Sequence, residues 1–477
     1  MKKTFSMLAL TGLLALPVVG EAATLENEIA ELKRQLAEQQ AQLDALDQTV
    51  WHDIGTRFHW SGDFRSRYDY YSRDRYTAAN PNATVTEKND SLMTNRLRLN
   101  MYAKVQDNVE FVGRLAMFKA WGMQNAPDDE GGFFGGYPGI DGNSGRRASD
   151  NTLLVDRAIV NWNNIADTNF WFSIGRRPTT DGPPSQLRQN EDRRMATPVS
   201  YMDWPFDGLT IGYAYDKLFS FVDLPGRIRF CYGRGFESGL GSTTIKDTDF
   251  MGISWDIHNQ GNRFVYLQSY IAMDVFNYPD IADPLTEAAI FAMMGPRDNV
   301  GDIYHTSALY MDKVQSVNYF IAGGWSRTDP NQNGMFSDMA VGPNTSSENG
   351  YSIYVGTRYD LPQAPVKLGL EYNYGSEYWI GMSPGHDDIY ASKLATRGHV
   401  YEIYGIYDIP GRQVSPLGNA FIRVGYQHYR YDYTGSLDWN MRPYDLGSAA
   451  ERQQAAAMGV LMADKADQVY VTFEAKF

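Results

Sequence analysis

Residues 57–70 read RFHWSGDFRSRYDY. The even positions carry Phe58, Trp60, Gly62, Phe64, Ser66, Tyr68 and Tyr70, and the odd positions carry Arg57, His59, Ser61, Asp63, Arg65, Arg67 and Asp69. Successive side chains of a β-strand point to opposite faces, so this segment is a strand with one aromatic and one charged face. The same period of two recurs in Leu97, Leu99, Met101, Ala103 and Val105 against Arg96, Arg98, Asn100, Tyr102 and Lys104. It recurs again at the C-terminus, where Val469, Val471, Phe473, Ala475 and Phe477 alternate with Tyr470, Thr472, Glu474 and Lys476.

Working outward, sixteen such segments can be placed, near 57–71, 94–105, 109–121, 153–163, 169–177, 206–215, 226–234, 249–258, 263–276, 303–312, 316–327, 350–360, 365–375, 397–408, 419–432 and 468–477. Their lengths cluster near ten residues, which is what a tilted strand needs to cross a bilayer. Links after even-numbered segments are short, as at 106–108 and 259–262. Links after odd-numbered segments are mostly long, such as 72–93, 122–152, 178–205, 277–302, 328–349 and 433–467. Short turns at one end and long loops at the other are the asymmetry of a transmembrane barrel. The predicted fold is therefore an all-β transmembrane antiparallel barrel of about sixteen strands over 51–477, preceded by a helical segment.

That reading reconciles two facts of composition. The chain has 477 residues, of which 14% are aromatic, yet its mean hydropathy is −0.43. Such a value excludes a bundle of membrane-spanning helices, and the aromatic content excludes intrinsic disorder. The formal charge of −14 argues against nucleic acid as a partner. A single cysteine, Cys231, excludes a disulfide scaffold, a multi-cysteine metal cluster and covalent haem attachment.

The first fifty residues carry two further signals. Lys2 and Lys3 precede an apolar run over 5–20, and Gly20-Glu21-Ala22 offers the small residues a signal peptidase reads, so 1–22 is expected to be a cleaved export signal. In 23–50, Leu25, Ile29, Leu32, Leu36, Gln39, Leu43, Leu46 and Val50 are spaced alternately four and three apart. This is a coiled-coil seam with one polar position, Gln39. Ile29, Leu32, Leu36, Gln39, Leu43 and Leu46 are the expected oligomerisation residues of a periplasmic stalk.

An exported barrel that ends in Phe477 after alternating Val469, Val471 and Phe473 resembles the Gram-negative outer-membrane proteins. In that class the last strand, with its terminal aromatic residue, is read by the insertion machinery, which assigns Phe473 and Phe477 to the insertion signal. Sixteen strands resemble the general porins, and a coiled coil ahead of the barrel is similar to some porin families. The resemblance implies a homotrimer in the outer membrane, with lipids and small hydrophilic solutes as partners. It also implies a third long loop folded into the lumen.

A barrel of sixteen strands is too wide for its own side chains to fill. Parity assigns fifteen bases and nine acids to the inner face, and eleven against three in the first seven strands. The expected pore-lining bases include Arg57, Arg65, Arg67, Arg96, Arg98, Arg114 and Arg177, and the third loop adds Arg188, Glu191, Asp192, Arg193 and Arg194 as a constriction. The expected function is a water-filled channel with mild anion preference, set by bore and lumen charge. The rival reading is an adaptor barrel that sheathes a partner such as a cytochrome conduit. An enzyme is not expected, because the seven histidines show no catalytic spacing.

No cofactor or metal is expected. Asp329, Asn331, Asn333 and Gly334 match the first half of a calcium loop, but its twelfth position is Ala340 rather than a glutamate, leaving only a weak loop site. Gly233, Gly235 and Gly239 miss dinucleotide-loop spacing by one residue. The stretch 449–466 is helix-prone within the last long loop.

Overall fold

The computed structural model describes residues 33–35, 58–122, 148, 151–177, 181–193, 196–199, 202–203, 206–217, 224–238, 245–277, 295–338, 340–383, 388–415 and 418–477. The chain divides into two units, Met1–His59 and Trp60–Phe477. In the first, residues 33–35 are helical and exposed. The expected export signal, the stalk residues Ile29, Leu32, Leu36, Gln39, Leu43 and Leu46, and Arg57 and Arg194 lie outside the described residues.

The second unit is built on sixteen strands. They are β1 (Phe58–Thr77), β2 (Asn80–Gln106), β3 (Val109–Ala120), β4 (Leu154–Trp162), β5 (Phe170–Arg177), β6 (Phe206–Tyr215), β7 (Gly226–Phe236) and β8 (Thr248–Gln260). There follow β9 (Arg263–Phe276), β10 (Asn299–Val314), β11 (Val317–Pro330), β12 (Asn349–Asp360), β13 (Val366–Gly375), β14 (Gly398–Asp408), β15 (Asn419–Tyr431) and β16 (Met462–Lys476). Two short helices lie between strands, α1 (Ser185–Gln189) and α2 (Ala449–Ala457). Each strand is antiparallel to its sequence neighbours, and β1 pairs with β16 to close the barrel. Closure leaves no edge strand. At the seam, Gly62 N–H donates to Phe477 O at 2.7 Å and Phe477 N–H donates back at 2.9 Å.

The two faces of the wall follow the sequence parity. On β16, Val469, Val471 and Phe473 point outward and are exposed, while Gln468, Tyr470, Thr472 and Glu474 are buried inside. On β14, Tyr401, Ile403 and Tyr407 point outward, while Glu402, Tyr404 and Ile406 are buried. Exposed Trp60, Trp162 and Phe170 gather at the short-turn end, and Trp121, Trp325 and Tyr351 toward the long-loop end. Such aromatic girdles flank the apolar band of a membrane barrel. They account for the excess of aromatics in a chain that is polar on average.

Three expectations need correction. Residues 72–93 are not a long loop, because β1 and β2 continue past the expected boundaries and turn at Ala78 and Ala79. The apolar alternation stops near Tyr71, but ion pairs carry the hairpin further: Arg73 meets Glu87 at 2.5 Å, Arg75 meets Glu87 at 2.6 Å, and Lys465 of β16 meets Asp74 at 3.2 Å. β16 correspondingly starts at Met462, so the last loop is shorter than expected and α2 covers only the first half of 449–466. Finally, Asp156 faces inward although simple parity turns it out. The register shifts between Arg114 and Leu115, whose partners are Arg157 and Val155, and Asp156 is the extra residue of that β-bulge. A bulge inserts one residue and resets the alternation beyond it.

Candidate functional site: a lumen crossed by two loops

The third long loop leaves β5, enters the barrel and returns to β6. All five residues of α1 are buried. The loop descends through the lumen, since Arg193 Nη2 donates to Asn259 Oδ1 at 2.6 Å and also reaches the carbonyls of Gly261 and Asn262, at the β8–β9 turn on the short-turn side. Wall cations hold the last turn of α1 by its free carbonyls. Arg358 donates to Leu187 O at 2.7 Å, Arg423 to Arg188 O at 2.6 Å, and Lys476 to Asn190 O at 2.9 Å. The final carbonyls of any helix lack intrahelical partners, and cations are suitable donors there.

Arginines of β1–β3 face this loop. Arg98 binds Asp63 at 2.7 Å and reaches across to Glu191 at 3.0 Å and Asp181 at 3.4 Å. Arg114 binds Asp156 at 2.6 Å and also contacts Asp181. Arg96 lies 3.1 Å from Asp63 and 3.3 Å from Glu474. Arg67 pairs with Asp69 at 2.8 Å, and the guanidinium of Arg65 lies over the Phe118 ring at 5.4 Å. The predicted arginines 65, 67, 96, 98 and 114 thus share one buried wall. Its acids are more numerous than strand parity implied, because the bulge contributes Asp156 and the loop contributes Asp181 and Glu191. The expected basic wall is largely compensated by carboxylates that strand parity did not assign to it. Asp192 is exposed, and Arg177 lies elsewhere, beside Arg227 and Arg229.

The sequence reading assigned no site to the loop joining β13 to β14, yet its described residues, 376–383 and 388–397, also fold inward. Trp379, Ile380, Met382, Leu394 and Ala395 are buried against wall residues and the other loops. Its one legible signal was apolar content inside a loop, at Trp379, Ile380 and Met382. The third loop and this loop are in contact: Asp203 N–H donates to Met382 O at 2.9 Å. Arg188 of α1 also binds Asp388 at 2.6 Å and the β14 residue Glu402 at 3.0 Å. Lys393 binds Glu402 at 2.6 Å and also contacts Glu371 of β13. Tyr354 donates to Glu371 at 2.7 Å, Tyr470 to Glu402 at 2.7 Å, and Gln427 to Asp388 at 2.9 Å.

Burial opposes charge on both loop cations of this latch. For Arg188 the carboxylates of Asp388 and Glu402 outweigh burial, and its guanidinium is held well above the usual arginine value. For Lys393 burial and the neighbouring Arg188 are overcome by Glu371, Glu402 and Asp388, and the ammonium is raised. Gly425, opposite Tyr470 across the β15–β16 pair, gives that ring its place: a Cβ there would collide with the phenol. Gly425→Val is expected to overpack the wall, costing about 1–3 kcal/mol and lowering the thermal unfolding midpoint of the barrel.

The half-matched calcium loop is used otherwise. The side-chain amides of Asn331 and Asn333 each donate to Asn299 O at 2.8 Å, and Asn331 Oδ1 accepts from Asn333 N–H. Among the described residues no group of three or more His, Cys, Asp and Glu is placed to hold a metal ion.

The family model described as "Protein of unknown function (DUF3373)" matches residues 86–477. No curated protein matches the sequence. Among solved structures, the chain is similar to Salmonella typhi OmpF in complex with daunomycin, at 10% identity over 88% of this chain and 97% of that one, with a TM-score of 0.42. It is also similar to in-vitro folded OmpT, an outer membrane protein of Vibrio cholerae, at 11% identity over 88% and 97% of the two chains, with a TM-score of 0.40.

Proposed function

The chain belongs to the family described as a protein of unknown function (DUF3373), and we propose that this member is an outer-membrane channel for passive diffusion of small hydrophilic solutes, with a mild preference for anions. One observation carries the reading: a closed barrel of sixteen strands presents apolar and aromatic side chains outward and charged ones inward. A closed barrel satisfies every backbone group without water, which a bilayer demands of any β-structure that spans it. Charge on the inner face, in a bore too wide to fill with wall side chains alone, supports an aqueous path narrowed by α1 and by residues 376–383 and 388–397. Diffusion through such a path needs no catalytic group.

We further propose that residues 1–22 direct export and are cleaved, that 23–50 form a periplasmic coiled coil, and that three copies associate. The short turns and Phe477 then face the periplasm, and Phe473 and Phe477 act in membrane insertion. Sheathing a threaded partner would require a lumen free of the barrel's own loops. Here α1 and residues 376–383 and 388–397 occupy it, and this favours the channel.

Purified full-length protein in a planar bilayer is expected to give discrete conductance steps. In a potassium chloride gradient, the reversal potential is expected to show chloride entering in excess over potassium. A sealed barrel would overturn the channel reading, and clear cation selectivity would overturn the anion preference alone. Liposome swelling with sugars, amino acids and organic anions would rank the solutes.

A further inference from the structure

Away from the two-loop latch, a cavity of about 100 Å³ opens in the lumen wall between β5 and β9, under the returning third loop. Three arginines line it: Arg177 of β5, and Arg227 and Arg229 of β7. Among the described residues, Asp256 is the carboxylate seen in ion pairs with Arg227 and Arg229. Asp256 of β8 contacts Arg227 and lies 3.3 Å from Arg229, which also donates to Tyr266 Oη at 3.3 Å. The side chain of Arg177 donates to Ser173 O at 3.2 Å and to its hydroxyl. Among the described residues no carboxylate lies within ion-pair distance of Arg177, which lines the same cavity as Arg227 and Arg229. Elsewhere in the lumen the arginines of β1–β3 face a matching set of acids, whereas here the ion pairs seen among the described residues run to Asp256.

The rest of the lining is of the opposite character. Met202, Phe206, Phe250 and Tyr270 are buried side chains of one apolar cluster. Trp171 completes the rim, its ring 5.9 Å from the Arg227 guanidinium. A partly desolvated excess of positive charge is costly unless an anion shares the space. Guanidiniums bind carboxylates through short, charge-assisted hydrogen bonds. One water needs about 10–15 Å³ of such space, so a cavity of about 100 Å³ admits a ligand of several heavy atoms.

We propose that this cavity is a binding site for a small organic carboxylate, its anionic end held by Arg177 with Arg229 and its short apolar body lying against Phe206, Phe250 and Tyr270. Binding at the wall does not depend on conduction, so the site can be tested in detergent-solubilised full-length protein without any current measurement.

The test is a titration of intrinsic tryptophan fluorescence with butyrate, with Trp171→Phe assigning the signal to the cavity. Saturable binding of butyrate is expected in the unaltered protein. Butyramide, the neutral near-isostere, and inorganic phosphate, an anion with no apolar body, are each expected to bind at least about tenfold more weakly. Arg177→Gln is expected to weaken butyrate by about tenfold or more, Arg177→Lys to restore part of the loss, and Arg430→Gln, at an exposed position outside the cavity, to change nothing. Binding of butyramide as tight as that of butyrate would overturn the proposal, as would equal binding of phosphate or the absence of a saturable signal. The comparison of butyrate with butyramide and phosphate uses only the native chain, so it decides the matter even if the arginine variants fail to fold.

Discussion

Replacing Arg188 by methionine is expected to raise single-channel conductance several-fold while leaving the barrel folded. The Arg188 guanidinium joins α1 to Asp388 of the second inward loop and to Glu402 of the wall. Without it, Lys393 is the loop cation left among Asp388, Glu371 and Glu402, all of them buried. Removing one partner of a buried ionic cluster costs about 3–5 kcal/mol, because the remaining charges keep their desolvation penalty. That cost falls on a five-residue helix and not on the strand ladder. The loop is therefore expected to leave the lumen before the barrel unfolds, because a few kcal/mol is enough to invert a two-state population. Exchanging the whole pair, Arg188→Met with Asp388→Leu, removes both charges together and is expected to recover much of the native conductance. An unchanged conductance in the single variant would show that α1 is not held in place by this latch.

Ile403→Arg is expected to destabilise the protein folded into a bilayer by about 2–4 kcal/mol, the range for a cation placed at mid-depth on a lipid-facing wall. Ile403 is 58% exposed in the chain alone. Were that face in water, the same substitution would be close to neutral, as surface changes usually are. Denaturant unfolding from lipid vesicles measures the difference. A cost below about half a kcal/mol would show that the outer wall does not face lipid. This measurement tests the membrane assignment alone and is indifferent to conduction.

Both predictions rest on how far the sequence could be read. The alternation in 57–70 placed Asp63, Arg65, Arg67 and Asp69 inside and Phe64 and Tyr68 outside, because side-chain direction in a strand is a local property with a period of two. The same rule failed at Asp156, where one extra residue reset the parity. That carboxylate closes on Arg114 at 2.6 Å, so the missed bulge also concealed part of the neutralisation of the basic wall. The hairpin over 72–93 escaped notice because ion pairs such as Arg73–Glu87 carry it beyond the point where apolar alternation ends.

The candidate site was half legible. Counting strands placed the third loop, and its charges at Arg188 and Glu191 find partners inside the barrel, while Arg193 reaches the β8–β9 turn. No comparable signal marked 376–397, and nothing in the spacing joined Arg177 to Arg227 and Arg229. Those three arginines sit on two strands with another strand between them, and only the ladder places them around one cavity.

What the sequence determined by itself was the two-faced wall, the count of strands and, except at 72–93, the alternation of short and long links. Each follows from backbone geometry repeated every second residue, and needs no knowledge of distant contacts. Only the tertiary structure decided which loops fill the lumen and where its charge stays uncompensated. Arg188 and Asp388 are 200 residues apart in the chain, and Arg98 and Glu191 are 93 apart. Pairing at such separations depends on where a closed barrel brings its walls and loops together, and no local pattern records it.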